Sequence, residues 1–121
     1  KVETNGVREV SISGGLFTSI DNGYHLEWLS LSGLTVGFDS PAGLFIGLNG
    51  TTVLIDNCVV TQNNAAGYTF VVQSGMRVFA KNNTFNKLIS VRDAGTYYTK
   101  SNTEPTPVVQ SGAIGKVEII T

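Results

Sequence analysis

One eight-residue pattern occurs four times along this chain. Each copy reads apolar, any, apolar, any, Gly or Asn, any, any, apolar, and the copies are 10–17, 29–36, 53–60 and 78–85. Successive copies begin roughly 19 to 25 residues apart, a spacing typical of proteins built from stacked repeats. The pattern constrains the fold more than any other feature, because every copy is expected to take the same local structure.

Each copy of the pattern describes two short strands joined by a sharp corner. Its first and third residues point to one side of a strand, so both are expected inside the protein. The fifth residue is Gly14, Gly33, Asn57 or Asn82. These residue types tolerate the left-handed backbone conformation that a sharp corner requires. Helix patterns are nearly absent, and the chain is therefore predicted to be all-β.

A second motif, at 42–50 and again at 66–75, supplies a third strand for two of the repeats. It would stack Leu44 on Tyr68. For the corresponding strand near 88–91, two interpretations stay open: Leu88 and Ser90 face inward, or Ile89 and Val91 do. Three strands and three corners in about twenty residues make a triangular coil, and strands of successive coils pair at about 4.8 Å.

The sequence thus predicts a parallel β-helix of four to five coils. The fifth coil is imperfect and is expected to start at Tyr98, where Lys100 takes an inward position. Two prolines follow, at 105 and 107. We therefore divide the chain into β-helix coils over residues 1–104 and a short C-terminal β extension or cap over residues 105–121.

The composition excludes several classes of function. Charged residues make up 14% of the chain and the net charge is −1, so no basic surface indicates nucleic-acid binding. No apolar stretch reaches the roughly 20 residues of a membrane span, and no membrane insertion is predicted. The one cysteine, Cys58, is expected to be buried or half-buried. Because the chain starts at Lys1 without a Met, we interpret it as a piece of a longer protein.

The segments 53–60 (VLIDNCVV) and 78–85 (VFAKNNTF) resemble coils of right-handed parallel β-helix proteins, a group that includes pectate lyase-like enzymes and phage tailspikes. The column of Asn57 and Asn82 resembles the asparagine ladder of such coils. The resemblance covers residues 7–102, and the low charge with abundant Gly, Ser, Asn and Thr is most similar to tailspikes and tail fibres. It implies a right-handed helix, a homotrimer, a host surface polysaccharide as partner, and a location in the virion tail or otherwise outside the cell.

Catalysis is not predicted for this segment. Hydrolysis of a glycosidic bond needs two carboxylates at a defined separation. Asp21 and Asp39 are the weak candidates, because both are expected to follow the second strand of their coil, and we favour the interpretation that they are turn residues. Arg77 and Arg92 lack the acidic cluster that a lyase would use for calcium, and His25 has no partner in the pattern. We predict no resident metal or cofactor.

Binding is the better supported expectation. The outward position before each repeat is occupied by Glu9, Trp28, Thr52, Arg77 and Tyr97. In this column the aromatic rings would stack on sugars while the polar side chains donate and accept hydrogen bonds. In the rival interpretation, outward apolar residues form a chain–chain interface. It involves Phe45, Leu54 and Phe79. We favour the interface for Leu54 and Phe79, and for Trp28 both interpretations stay open.

Taken together, the sequence predicts a structural and receptor-binding segment of a phage tailspike or tail fibre that contacts host surface polysaccharide. Two alternatives remain. The chain would be a fragment of a β-helix polysaccharide lyase or glycoside hydrolase, or a purely structural module for trimerisation or capping.

Overall fold

A computed structural model describes residues 27–41, 43–46 and 48–120, together with the strand backbones at 2–3, 9–13 and 20–21. In these ranges every regular element is a β-strand. None of the described residues belongs to a helix long and apolar enough to cross a bilayer. The strands are β1 (Val2–Glu3), β2 (Glu9–Ser13), β3 (Ile20–Asp21), β4 (Trp28–Ser32), β5 (Thr35–Phe38), β6 (Phe45–Ile46), β7 (Thr52–Asp56), β8 (Val59–Gln62), β9 (Phe70–Val72), β10 (Arg77–Lys81), β11 (Thr84–Phe85), β12 (Ile89–Val91), β13 (Thr96–Lys100), β14 (Val108–Val109) and β15 (Lys116–Ile119).

The strands form four parallel sheets. The largest, called the long sheet below, has the order β15-β13-β10-β7-β4-β2. The other three have the orders β11-β8-β5, β14-β12-β9 and β1-β3-β6. Consecutive strands belong to different sheets, since β7, β8 and β9 lie in three sheets and β10, β11 and β12 visit the same three in the same order. The chain therefore returns to the long sheet once in every repeat.

The pairing register confirms the alignment of the four sequence repeats. Val53 pairs with Leu29 on one side and with Val78 on the other, and Leu29 pairs with Val10. Leu29, Val53 and Val78 have no exposed surface. The first residue of each described copy is thus inside, as the alternation of the pattern predicts.

The predicted start of the fifth repeat is wrong by one residue. Val78 pairs with Tyr97 rather than with Tyr98. The corner of this repeat is Ser101, with φ 56°, which is the counterpart of Asn82, with φ 59°. With Tyr98 as its first residue, the pattern instead puts the corner, its fifth residue, at Asn102. A Ser in the left-handed region is less favourable than a Gly by about 1 kcal/mol. Because Ser101 nevertheless forms the corner in the observed register, the other contacts of this repeat outweigh that cost.

The C-terminal segment continues the same sheets. Val117 in β15 pairs with Tyr97, and Val109 in β14 pairs with Val91, both in parallel. Strands β14 and β15, in the segment predicted as a C-terminal β extension or cap, therefore lie in the same sheets as the preceding repeats.

Aromatic rings from several repeats form one cluster in the interior, in tilted and edge-to-face contacts. The ring of Phe70 lies 5.1 Å from that of Phe45, 5.5 Å from that of Phe85 and 5.9 Å from that of Tyr97, measured between centroids. Each such side chain contributes about 1.5–3 kcal/mol by its burial. Phe45 is only 6% exposed, so its predicted role in a chain–chain interface is wrong: the ring packs inside against Phe70.

Two further expectations about the third strand are decided by the structure. Ile89 and Val91 are fully buried, so they are the inward pair that the sequence left open. Leu44 does not stack on Tyr68 as expected. Its backbone N–H donates to the carbonyl of Thr69 at 2.9 Å, while the ring of Tyr68 lies under the guanidinium of Arg92, 5.2 Å from it.

The asparagine ladder exists, but one residue later than predicted. Asn57 and Asn82 are exposed corner residues with φ 55° and 59°. The stacked amides belong to the residues that follow the corner. Asn83 Oδ1 accepts a hydrogen bond from the backbone N–H of Cys58 at 2.8 Å, and Asn83 Nδ2 donates to Asn102 Oδ1 at 2.9 Å. These bonds tie three successive repeats together.

Candidate binding face on the long sheet

The side chains that alternate with the core along the long sheet form an outward surface, which we call the outer face. In β10, for example, Val78 and Ala80 are buried, whereas Arg77, Phe79 and Lys81 point away from the core. Parallel pairing aligns the outward side chains of neighbouring strands in three rows. The first row is Trp28, Thr52, Arg77, Thr96 and Lys116; the middle row is Ser30, Leu54, Phe79, Tyr98 and Glu118; the third row is Ser32, Asp56, Lys81 and Lys100.

A shallow groove, called the Trp28 groove, crosses the first and middle rows. Its volume is about 450 Å³, and its lining consists of Trp28, Thr52, Leu54, Arg77, Phe79 and Tyr98. Arg77 Nη2 donates to Thr52 Oγ1 at 3.2 Å, which holds the guanidinium over the neighbouring strand. The indole of Trp28 is 39% exposed. The groove thus offers one open aromatic ring beside a positioned guanidinium and a hydroxyl.

A second groove, called the Lys100 groove, lies on the other side of Leu54 and Phe79. Its volume is about 390 Å³. The lining comprises Leu54, Ile55, Asp56, Phe79, Ala80, Lys81, Lys100 and Ile120. Because Leu54 and Phe79 line both grooves, they form an apolar ridge between them.

The two rings in the middle row are stacked on each other. Phe79 and Tyr98 have centroids 4.3 Å apart and planes that differ by 3°. Each of these rings covers one face of the other, and both residues are only partly exposed, whereas Trp28 is exposed. Of the aromatic side chains in the Trp28 groove, Trp28 is therefore the one whose face is suited to stack on a sugar ring.

The structure brings together residues that the sequence assigned to different roles. Trp28 and Arg77, predicted for sugar binding, line the same groove as Leu54 and Phe79, predicted for an interface. Glu9 pairs with Trp28 through the backbone, and its side chain lies outside the described residues. The sequence therefore predicted the outward residues of this face as separate columns. It did not predict the grooves that lie between those columns.

Tyr97 does not belong to the outer face, and its predicted outward position is wrong. The side chain is fully buried, and its hydroxyl donates to Glu104 Oε2 at 2.6 Å. Burial, followed by the nearby Glu104 carboxylate, raises the pKa of Tyr97 far above its usual value. The outward aromatic residue of this repeat is Tyr98, which sequence reasoning missed because the two tyrosines are adjacent and the register was set one residue late.

The two aspartates considered for catalysis lie outside the long sheet. Asp39 is exposed after β5 and accepts a hydrogen bond from Asn64 Nδ2 at 3.0 Å. Asp21 lies within β3, where its register partner is Ile46. The two aspartates therefore do not occupy equivalent positions of successive repeats. This contradicts the expectation that both follow the second strand of their coil. The side chain of Asp21 and the whole of His25 lie outside the described residues.

Cys58 is a buried free thiol, as expected, with 2% exposure. Its Sγ donates to the carbonyl of Asp56 at 3.4 Å. Desolvation by burial raises the pKa of the thiol, which disfavours the nucleophilic thiolate. Among the described residues, no group of three or more His, Cys, Asp or Glu side chains is arranged to hold a metal ion.

Comparison of the chain with protein-family models, with curated proteins and with solved structures found no match. Its function is therefore inferred from the geometry of the outer face and from the resemblance of its repeats.

Proposed function

We propose that the chain is a segment of a right-handed parallel β-helix that forms a rigid shaft and binds host surface polysaccharide, as in phage tailspikes and tail fibres. The winding is supported by the order in which the chain visits its sheets, and by the parallel, in-register pairing of each long-sheet strand with the one before it. The amide contact between Asn83 and Asn102 and the cluster of rings around Phe70 add to this support. Both join residues of neighbouring repeats.

The observation that carries the binding proposal is the composition of the Trp28 groove. Sugars present apolar C–H faces together with hydroxyl groups, and an exposed indole provides a flat apolar surface for the former. The guanidinium of Arg77 and the hydroxyl of Thr52 provide hydrogen-bonding groups for the latter. All three side chains belong to one row of the outer face, so the pairing of the strands fixes the spacing of their backbones, and the hydrogen bond to Thr52 holds the guanidinium of Arg77.

In this proposal the shaft is a homotrimer located in the virion tail. Three copies of a shallow groove give an overall affinity that exceeds the affinity of each one, because the second and third contacts form at a high effective concentration. Leu54 and Phe79, which the sequence assigned to a chain–chain contact, line both grooves, so in this proposal they stay open to the ligand and the subunits meet elsewhere. Light scattering tests the trimer: a stable monomer at micromolar concentration contradicts it.

A glycan array tests the binding function. We expect the chain to bind surface polysaccharides of bacteria and Trp28→Ala to weaken that binding about tenfold, which corresponds to about 1.4 kcal/mol. Val59→Ala is the matched control, because Val59 is also an exposed apolar residue, at 44%, but lies on β8 in another sheet. Equal binding by Trp28→Ala and the unaltered chain would contradict the groove as the binding site.

A purely structural module is the second candidate, and one observation favours it. Strand β15 is at the edge of the long sheet, and around it Val108, Ile114 and Ile119 are exposed by 47%, 85% and 79%. Edge strands with exposed apolar residues are surfaces for assembly. If the array shows no bound glycan while the trimer is stable, this candidate replaces the first.

A further inference from the structure

Basic side chains flank the apolar ridge of the outer face. On β10, Arg77 precedes Phe79 by two residues and Lys81 follows it by two. Lys100 is the register partner of Lys81 on β13. Three of the eight Lys and Arg residues of the chain therefore border the two grooves, although the net charge of the whole chain is −1.

These charges are only partly offset by neighbours. Within the described part of the chain, Lys81 and Lys100 form no ion pair, and Arg77 has the neutral Thr52 as its hydrogen-bond partner. The acidic side chains in the described rows are Asp56 and Glu118. Glu118 forms an ion pair with Lys116 at 2.7 Å. Asp56 is the register partner of Lys81, so the described rows place one further carboxylate beside three positive charges.

Lys81 lies opposite a carboxylate, Asp56, on one neighbouring strand and opposite a second ammonium group, Lys100, on the other. Like charges directly opposite each other on paired strands are destabilising, and the strands are about 4.8 Å apart. A carboxylate placed between the ammonium groups removes this repulsion and gains two charge-assisted hydrogen bonds. Arg77 lies four residues from Lys81 on the same strand, about 13 Å away, and so would bind a second carboxylate on another sugar unit.

The floor between these charges is apolar. Leu54, Phe79 and Ile120 line the Lys100 groove, and such surface suits the C–H faces of sugar rings rather than a fully charged polymer. A neutral glycan would use this floor but leave the three cations unpaired. A nucleic acid would need many more basic contacts than the outer face has.

We infer that the polysaccharide bound by the outer face is acidic, a carboxylated glycan that crosses the ridge with its carboxylates on Arg77, Lys81 and Lys100. The inference rests on the proposed glycan-binding function and adds the chemical class of the ligand.

Oligogalacturonate, a carboxylated oligosaccharide, is the probe, and a neutral galactan oligosaccharide of equal length is its comparison. Titration calorimetry with the full chain should show at least tenfold tighter binding of the oligogalacturonate. Each lysine contributes about threefold at an exposed site, so Lys81→Gln/Lys100→Gln should weaken that binding about tenfold and reduce its dependence on salt. Lys87→Gln is the control, since Lys87 lies between β11 and β12 and away from both grooves. Circular dichroism checks that each variant is folded.

The outcomes separate the inference from the function on which it rests. Equal binding of the acidic and neutral oligosaccharides overturns the inference and leaves the glycan-binding function in place. If neither oligosaccharide nor any array glycan binds, both fail. If a DNA duplex binds as tightly as oligogalacturonate and loses as much affinity in the double variant, the outer face is a general anion surface and the inference is wrong.

Discussion

Removal of one ladder amide tests the physical basis of the stacked repeats. The side chain of Asn83 is 2% exposed and makes three hydrogen bonds. Its Oδ1 accepts from the N–H of Cys58 at 2.8 Å, and its Nδ2 donates to the carbonyl of Ile55 at 3.0 Å and to Asn102 Oδ1 at 2.9 Å. Replacement with Ala leaves a backbone donor and a backbone acceptor in a buried site without these partners.

The expected loss of stability follows from those two backbone groups. A buried polar group that loses its partner costs about 1–3 kcal/mol, so Asn83→Ala should lower the free energy of unfolding by about 3 kcal/mol after partial relaxation. That is a large share of the roughly 5–15 kcal/mol that stabilises a typical domain. Asn82→Gly is the matched control. Asn82 is exposed and has φ 59°, a conformation that Gly adopts readily, so the change should be below about 1 kcal/mol.

Urea unfolding followed by far-ultraviolet circular dichroism measures both variants. Because stacked repeats can unfold in parts, amide hydrogen exchange at Cys58 supplies a local readout and should accelerate in Asn83→Ala. The ladder argument is refuted if Asn83→Ala loses less than about 1 kcal/mol and the Cys58 amide exchanges at its original rate. It is refuted as well if Asn82→Gly loses as much as Asn83→Ala.

Two further predictions concern backbone packing and ionisation. Gly95→Ala places a Cβ against the backbone carbonyl of Val72 and should lower the free energy of unfolding by about 3 kcal/mol. Gly112 has φ +84° and no atom within 4 Å of a new Cβ, so Gly112→Ala should lower it by only about 1 kcal/mol. Thermal unfolding compares the two variants. Burial raises the pKa of Tyr97 above its unfolded value of about 10, so its contribution to stability should be constant below about pH 9 and be lost as the pH rises above about 10. Tyr97→Phe should remove this loss and, without the hydrogen bond to Glu104, lower stability at pH 7 by about 1 kcal/mol, as measured by urea unfolding between pH 7 and 12.

Each of these two predictions has an experimental outcome that would contradict it. Equal melting temperatures for Gly95→Ala and the unaltered chain would mean that Gly95 and the carbonyl of Val72 are farther apart than the structure places them. An unchanged pH dependence in Tyr97→Phe would show that the Tyr97 hydroxyl ionises as freely in the folded protein as in the unfolded chain.

The outer face depends on the same register as the core. In a strand, a shift by one residue moves every side chain to the opposite side. The position of Phe79 on the outside is therefore fixed by the burial of Val78 and Ala80 on either side of it. Substitutions on the outer face should alter binding without changing the fold, because those side chains contribute little to the buried interior.

Much of the fold could be predicted from the sequence. The positions of Leu29, Val53 and Val78 in one inward column follow from the spacing of the repeats, and the left-handed corners at Gly33 and Asn57 follow from the residue types. These are local properties. Alternation along a strand and tolerance of a positive φ both depend on only a few residues. A pattern that is repeated shows each of these local signals several times.

The predictions that proved wrong concern adjacent residues, between which the contacts of other repeats decide. Tyr97 and Tyr98 are adjacent, and Tyr97 is inside because its hydroxyl reaches Glu104. Asn82 and Asn83 are adjacent as well, and the second forms the ladder because its amide reaches Asn102. No pattern within a single repeat distinguishes such neighbours, since the groups that select between them belong to other parts of the chain. The two grooves arise for the same reason, because their walls come from strands that meet only when the sheets assemble.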